Sequence, residues 1–160
     1  MKKSSGNLEQ KLLKYIQNLQ LYHHSSFDLF ISPSNIVNSG LGVFTNSFIP
    51  KNTLIDGYYG EYIEGFPGGE YFFKIDQFCG INAINTPRCY MAMLNDANHK
   101  TTLTIGKGKK KKQISIPHEF NNNCEFISDE NNLTVSVYSI VDIQPESELF
   151  ISYGDLYWSN

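Results

Sequence analysis

The chain has 160 residues, of which 41% are hydrophobic and 18% charged, and its formal net charge is -3. That composition supports one globular core and excludes fibrous, collagen-like and wholly disordered chains. The acidic balance also excludes a protein that coats nucleic acid over its whole surface, so any such contact has to be local.

Taken from the N-terminus, Leu8, Leu12, Ile16 and Leu19 recur at helical spacing with Glu9, Gln10, Lys11 and Lys14 between them. This predicts an amphipathic helix over residues 7–21. One apolar stripe cannot by itself tell a cap on the chain's own core from a surface for a partner; the cap is the first reading and the partner surface stays open. Residues 1–26 are set apart as a helical extension. The opening Met1-Lys2-Lys3 leads into no apolar run of the kind a signal peptide needs, and no window of about 18 apolar residues occurs, so no membrane span is expected. Cys79, Cys89 and Cys124 are odd in number and lack a C-x-x-C pair, which points away from a disulfide framework and from a metal cluster. A reducing, intracellular compartment is expected, with nucleus and cytoplasm not distinguished.

From residue 27 the pattern changes to short β-rich runs broken by Gly, Pro and Asn. Strands are predicted at 27–32, 42–45, 53–63, 71–75, 113–116, 124–127, 133–141 and 148–152. Turn chemistry falls between them at Ser39-Gly40, Pro50-Lys51-Asn52, Pro67-Gly68-Gly69 and Asp129-Glu130-Asn131-Asn132. The fold class this implies is mainly β, with several small sheets across 27–160. Residues 97–122 are more polar than their flanks and carry Lys107, Lys109, Lys110, Lys111 and Lys112. They read as an insert, a hairpin closed by 103–105 against 113–116.

Gly40-Leu41-Gly42 is a G-x-G without the third glycine and following helix of a dinucleotide fold, and alone it is a tight turn. Its surroundings change that reading. Ile49-Pro50-Lys51-Asn52-Thr53, Tyr58-Tyr59-Gly60-Glu61, Met93-Leu94-Asn95-Asp96 and Glu148-Leu149-Phe150-Ile151-Ser152-Tyr153-Gly154 follow in order. This series resembles the SET domain, the fold of most protein lysine methyltransferases. The family's blocks run G-x-G, I-P-K-G-T, Y-x-G-E, R-F-x-N-H and E-L-x-x-D-Y-G. The resemblance covers about residues 27–158, and ordered co-occurrence is far more specific than any single match. Four departures stand out. Ala92, Asp96 and Ser152 replace the usual Arg, His and Asp, and the family's contiguous N-H-x-C-x-P-N-C is split here. Asn95-Asp96 is separated from Asn122-Asn123-Cys124 by the lysine-rich insert. No C-x-C cluster precedes Gly40 or follows Tyr153, as in a compact member without cysteine-rich flanks.

The resemblance implies a SET-type β-clip of small curved sheets, S-adenosyl-L-methionine as cofactor, and no metal. It also implies methyl transfer to a lysine side-chain amine of a protein substrate, histone or other. Gly40, Leu41 and Gly42 would bring main-chain N–H groups to the cofactor with no Cβ in the way. The Asn95 carboxamide would donate to the cofactor's carboxylate and accept from its ammonium group; Asp96 would keep an acceptor there but lose the donor a neutral His offers. Tyr153 matches the active-site tyrosine whose hydroxyl orients amine and methyl. Tyr58, as a second catalytic candidate, and Tyr90, on the cofactor side, are the further aromatics assigned to the channel. Tyr157 and Trp158 are either a terminal apolar anchor or the adenine-stacking face, while Cys124 is expected as a small buried apolar residue. The five lysines read as a solvated loop, as a local nucleic-acid contact, or as self-methylation targets. A non-catalytic member of the fold serving as a protein-interaction module is the rival to the enzyme. The oligomeric state is not legible.

Overall fold

A computed structural model describes residues 5–98 and 101–154. The chain divides into two compact units, one made of 1–24, 57–92 and 128–135 and the other of 25–56, 93–127 and 136–160. The helix-bearing segment 1–24 thus groups with 57–92. The architecture is mainly strands in several small sheets with one long helix near the N-terminus, as expected of a SET-type fold.

In the first unit, helix α1 runs from Ser5 to Leu19, two residues upstream of the predicted span at both ends. It stops where Gln20 takes a left-handed conformation, φ +47°, the usual way a helix ends. Leu12, Ile16 and Leu19 are half-buried along the predicted stripe, and Leu13 and Tyr15 are exposed. Beyond the helix the chain is clasped at Tyr22, whose N–H donates to the Arg88 carbonyl (3.1 Å) and whose carbonyl accepts from Tyr90 (2.8 Å). The unit's sheet has β6 (Cys79–Asn82) at its centre, antiparallel to β4 (Glu61–Glu64) on one side and β5 (Phe72–Lys74) on the other. Strand β6 went unpredicted because four residues with a central glycine show no alternation; its two neighbours define it. The single strand predicted over 53–63 is two, β3 (Leu54–Gly57) and β4, since Gly57 and Gly60 interrupt the run.

The second unit is built on β2 (Leu41–Thr45), buried at every position and flanked antiparallel by β1 (Leu29–Pro33) and β11 (Ser147–Leu149). A central strand covered on both faces carries an unbroken apolar run, as Leu-Gly-Val-Phe does here. A further sheet of order β3-β10-β9 adds β10 (Thr134–Ser139) and β9 (Cys124–Asp129), strands through which the chain passes from one unit to the other. The predicted hairpin is present, with β7 (Thr101–Ile105) and β8 (Lys112–Ile116) paired Leu103 to Ile114. Among the described residues no helix is long and apolar enough to cross a membrane.

Candidate active site

The predicted strand over 148–152 ends as a sheet strand at Leu149, and the residues just beyond it organise the second unit. Phe150 and Ile151 leave the sheet and pair in parallel with Asn95 and Cys124, one isolated bridge on each side. Ile151 donates to the Asn95 carbonyl (2.9 Å), while Asn123 and Cys124 both donate to the Phe150 carbonyl (3.0 and 2.9 Å). The Asn123 carboxamide grips the same segment twice, donating to the Glu148 carbonyl (2.9 Å) and accepting from the Phe150 N–H (2.8 Å). The C-terminal motif is therefore threaded between the two halves of the motif that the insert splits.

Those halves are rejoined by Asn122. Its carboxamide accepts from the Ala97 N–H (2.8 Å) and donates to Asp96 (3.0 Å), so the insert leaves and returns at one point. Asp96 is almost completely buried, and its carboxylate is taken up inside the protein. One oxygen accepts from Asn98 N–H (2.8 Å) and Asn122, the other from Tyr153 N–H (2.9 Å). A buried carboxylate needs this many donors, and here they make Asp96 the anchor of the Tyr153 backbone rather than a group turned toward a ligand. The Tyr153 side chain is exposed, with its hydroxyl donating to the Leu94 carbonyl. Ser152, in place of the family's Asp, accepts the Gly154 N–H (3.1 Å) and closes the turn.

Asn95 joins the glycine motif to this cluster. Its Nδ2 donates to the Leu41 carbonyl (2.9 Å) and to Oε1 of Glu148 (3.2 Å). Both amide hydrogens are thus committed within the protein, and the Oδ1 acceptor is the part of the carboxamide left for a ligand. The two glycines differ. Gly40 has φ +66°, and a Cβ there would meet nothing within 4 Å, so its glycine answers a backbone conformation beside open space. A Cβ at Gly42 would collide with the Glu148 carboxylate, so the space beside this glycine is filled by a side chain. Next to Gly40, the Ser39 hydroxyl is buried without a partner.

Tyr58 and Tyr90 belong to the first unit. Tyr58 is buried, donates its hydroxyl to the Tyr71 carbonyl (2.6 Å) and lies 5.9 Å from the Phe73 ring. Half-buried Tyr90 packs against His23 at 4.7 Å, and burial raises its phenol pKa above the ordinary value. Tyr157 and Trp158 lie outside the described residues. The five lysines of the hairpin end are all exposed. Cys79, Cys89 and Cys124 are buried free thiols, and burial pushes Cys124 far above the ordinary thiol range. Among the described residues no group of three His, Cys, Asp or Glu side chains could hold a metal ion. Sequence reasoning missed Glu148, Asn122, Asn123 and Ser34 as working residues. Glu148 and the asparagines stand inside family motifs, but only the bonds identify their roles.

Residues 40–154 match the SET domain family, and the chain belongs to it. Among solved structures it is similar to a Plasmodium falciparum protein assigned as a histone methyltransferase, at 20% identity over 84% of this chain and 99% of that one, TM-score 0.53. It is also similar to the methyltransferase domain of human PR domain-containing protein 2, at 14% identity over 82% of this chain and 80% of that one, TM-score 0.57. KRYPTONITE, solved in complex with mCHG DNA and SAH, is 19% identical over 81% of this chain but only 24% of its own length, TM-score 0.55. At these identities the likeness is one of fold. No curated protein matches the chain.

Proposed function

We propose that this chain is a protein lysine methyltransferase that takes its methyl group from S-adenosylmethionine. Membership in the SET family and structural neighbours described as methyltransferases support methyl transfer in general. The observation that carries the reading to this chain is the joining of three distant motifs: Asn95 bonds the glycine motif through Leu41, and Asp96 bonds the backbone of Tyr153. The departures at 96 and 152 keep these connections, since Asp96 and Ser152 each accept a backbone N–H that the fold needs satisfied.

The residues fit the cofactor's polar end. Gly40 stands beside open space with the unpartnered Ser39 hydroxyl next to it, and Asn95 keeps an acceptor suited to an ammonium group. When bound, the cofactor supplies an electrophilic methyl on a sulfonium. The chain's own part is orientation. The Tyr153 hydroxyl donates its hydrogen bond to the Leu94 carbonyl, so its oxygen is presented as an acceptor that can align an incoming ε-amine. The amine must arrive neutral, and its ordinary pKa of about 10.4 leaves it mostly charged at neutral pH, so transfer should quicken as pH rises. In the first unit, Tyr58's hydroxyl is already spent on the Tyr71 carbonyl. The substrate is a protein lysine, on a histone or another protein, in an intracellular reducing compartment consistent with three free thiols. The hairpin lysines add a local, screened contact to nucleic acid.

The test is calorimetric titration with S-adenosylhomocysteine, followed by single-turnover assays with labelled cofactor on a panel of histones and ribosomal proteins. Binding plus transfer to lysine is expected. Binding without transfer on a broad lysate panel would favour the interaction-module reading, and no binding at all would overturn the proposal.

A further inference from the structure

Glu148 is one of the most deeply buried acidic groups among the described residues, and its charge has no part in the proposed methyl transfer. It is 2% exposed, and its carboxylate collects three donors from two separated places in the second unit. The Ser34 hydroxyl (2.7 Å) and Asn95 Nδ2 (3.2 Å) donate to Oε1, and the Asn35 N–H (2.7 Å) donates to Oε2. The Ser34 hydroxyl in turn accepts the Ile36 N–H (3.1 Å), and the Ser34 N–H donates to the Gly40 carbonyl (2.8 Å). One carboxylate therefore ties the loop leading into the glycine motif to the Asn95 amide, and it does so in the space beside Gly42.

We infer that Glu148 is a positioning residue that fixes the orientation of Asn95, and that Gly42 is a glycine because Glu148 occupies the space of its side chain. The orientation is set by donors and acceptors. Asn95 faces two pure acceptors, the Leu41 carbonyl and the Glu148 carboxylate, so only its NH2 can point at them and its Oδ1 is turned the other way. A glutamine at 148 has one oxygen and one NH2. Whichever way it lies, a donor meets either Asn35 N–H or Asn95 Nδ2, so at least one bond fails and the charge that strengthened the others is gone, and the pinning is weakened while size and shape are kept. The glycine has its reason in the same contact. The carboxylate end of a glutamate is ordinarily able to swing aside, but three hydrogen bonds hold this one where a Cβ at 42 would be.

The significance of Asn95 for cofactor rests on the proposed function, so the experiment separates the two claims. In the full chain, exchange protection of the Asn95 side-chain amide is followed by NMR, thermal melting is measured, and affinity for S-adenosylhomocysteine is titrated. Glu148→Gln should melt cooperatively, lose part of the protection of the Asn95 amide, and bind on the order of tenfold more weakly, the scale of one buried charge-assisted hydrogen bond. Gly42→Ala should lower the melting temperature. Gly42→Ala combined with Glu148→Asp, whose shorter side chain makes room, should regain part of that loss. Unchanged amide protection in a folded Glu148→Gln overturns the orienting role. A double variant whose losses simply add overturns the account of Gly42. If Glu148→Gln does not fold, the double-variant cycle and the Asn95 amide in Glu148→Asp decide in its place, with unchanged protection again counting against the inference. A parent chain that fails to bind S-adenosylhomocysteine removes the proposed function, while the amide and melting results still judge this inference.

Discussion

The segment around Asn95 and the lysine hairpin lie next to each other in the chain, and they are held in opposite ways. Asn95 and Asp96 are fixed by partners more than fifty residues away, Leu41, Glu148 and Tyr153, through side-chain bonds largely buried from water. The hairpin of β7 and β8 is held by its own ladder, with Leu103 facing Ile114, and its lysine-bearing end is exposed. The first arrangement costs chain entropy to close and is stable only as a complete set of bonds. The second closes locally and can vary in sequence without disturbing the rest. An insert can therefore split a family motif, provided its two ends are clasped, as Asn122 clasps Asp96 and Ala97 here.

The largest effect should come from cutting the clasp. Asp96→Ala removes the acceptor of three N–H donors at once, and chemical denaturation should show a loss of about 3 kcal/mol at roughly 1 kcal/mol per abandoned donor. A loss no larger than that of a surface substitution would erase the contrast between the two regions. Next, Tyr153→Phe should leave the melting temperature close to the parent's and slow methyl transfer on the order of a hundredfold, the cost of about 1 Å of misalignment. Equal single-turnover rates on a substrate the parent methylates would remove the assigned role.

Smaller effects belong to the hairpin. Replacing Lys107, Lys109, Lys110, Lys111 and Lys112 by Gln should change stability by no more than about 0.5 kcal/mol. It should leave binding of S-adenosylhomocysteine unaltered and flatten the salt dependence of any DNA affinity by about 0.9 in log-log slope for each phosphate no longer neutralised. Changed cofactor affinity would show that the hairpin is coupled to the site. At the buried end of the same contrast, the raised pKa of Cys124 keeps it a thiol at pH 8, so iodoacetamide should modify it far more slowly in the folded chain than in denaturant.

The smallest expected change lies in the turn after β9. Hydrogen bonds from the Asn132 side chain and backbone hold the exposed Asp129 carboxyl below its ordinary value of 3.8. A depressed folded pKa contributes stability that is present above the unfolded value and lost as pH falls through the folded one. NMR titration of the Asn131 and Asn132 amides should therefore report a midpoint below 3.8, and a midpoint at or above it would contradict the turn geometry.

The amino-acid sequence by itself determined the fold class, the family, the hairpin and the helix, because each leaves a local or ordered trace. Alternation marks strands, a 3.6-residue stripe marks α1, and the motifs keep their order whatever lies between them. It also brought Asn95, Asp96 and Tyr153 forward as site residues. What each does there was decided by the tertiary structure. Asp96 was expected to keep an acceptor beside the cofactor, and its carboxylate is bonded to Asn98, Asn122 and Tyr153; Gly42 was expected to bring its main-chain N–H close, and the space of a Cβ there is taken by Glu148. The physical reason is that a polar side chain's role depends on which donors and acceptors surround it. Those partners come from stretches of chain that only folding brings within about 3 Å.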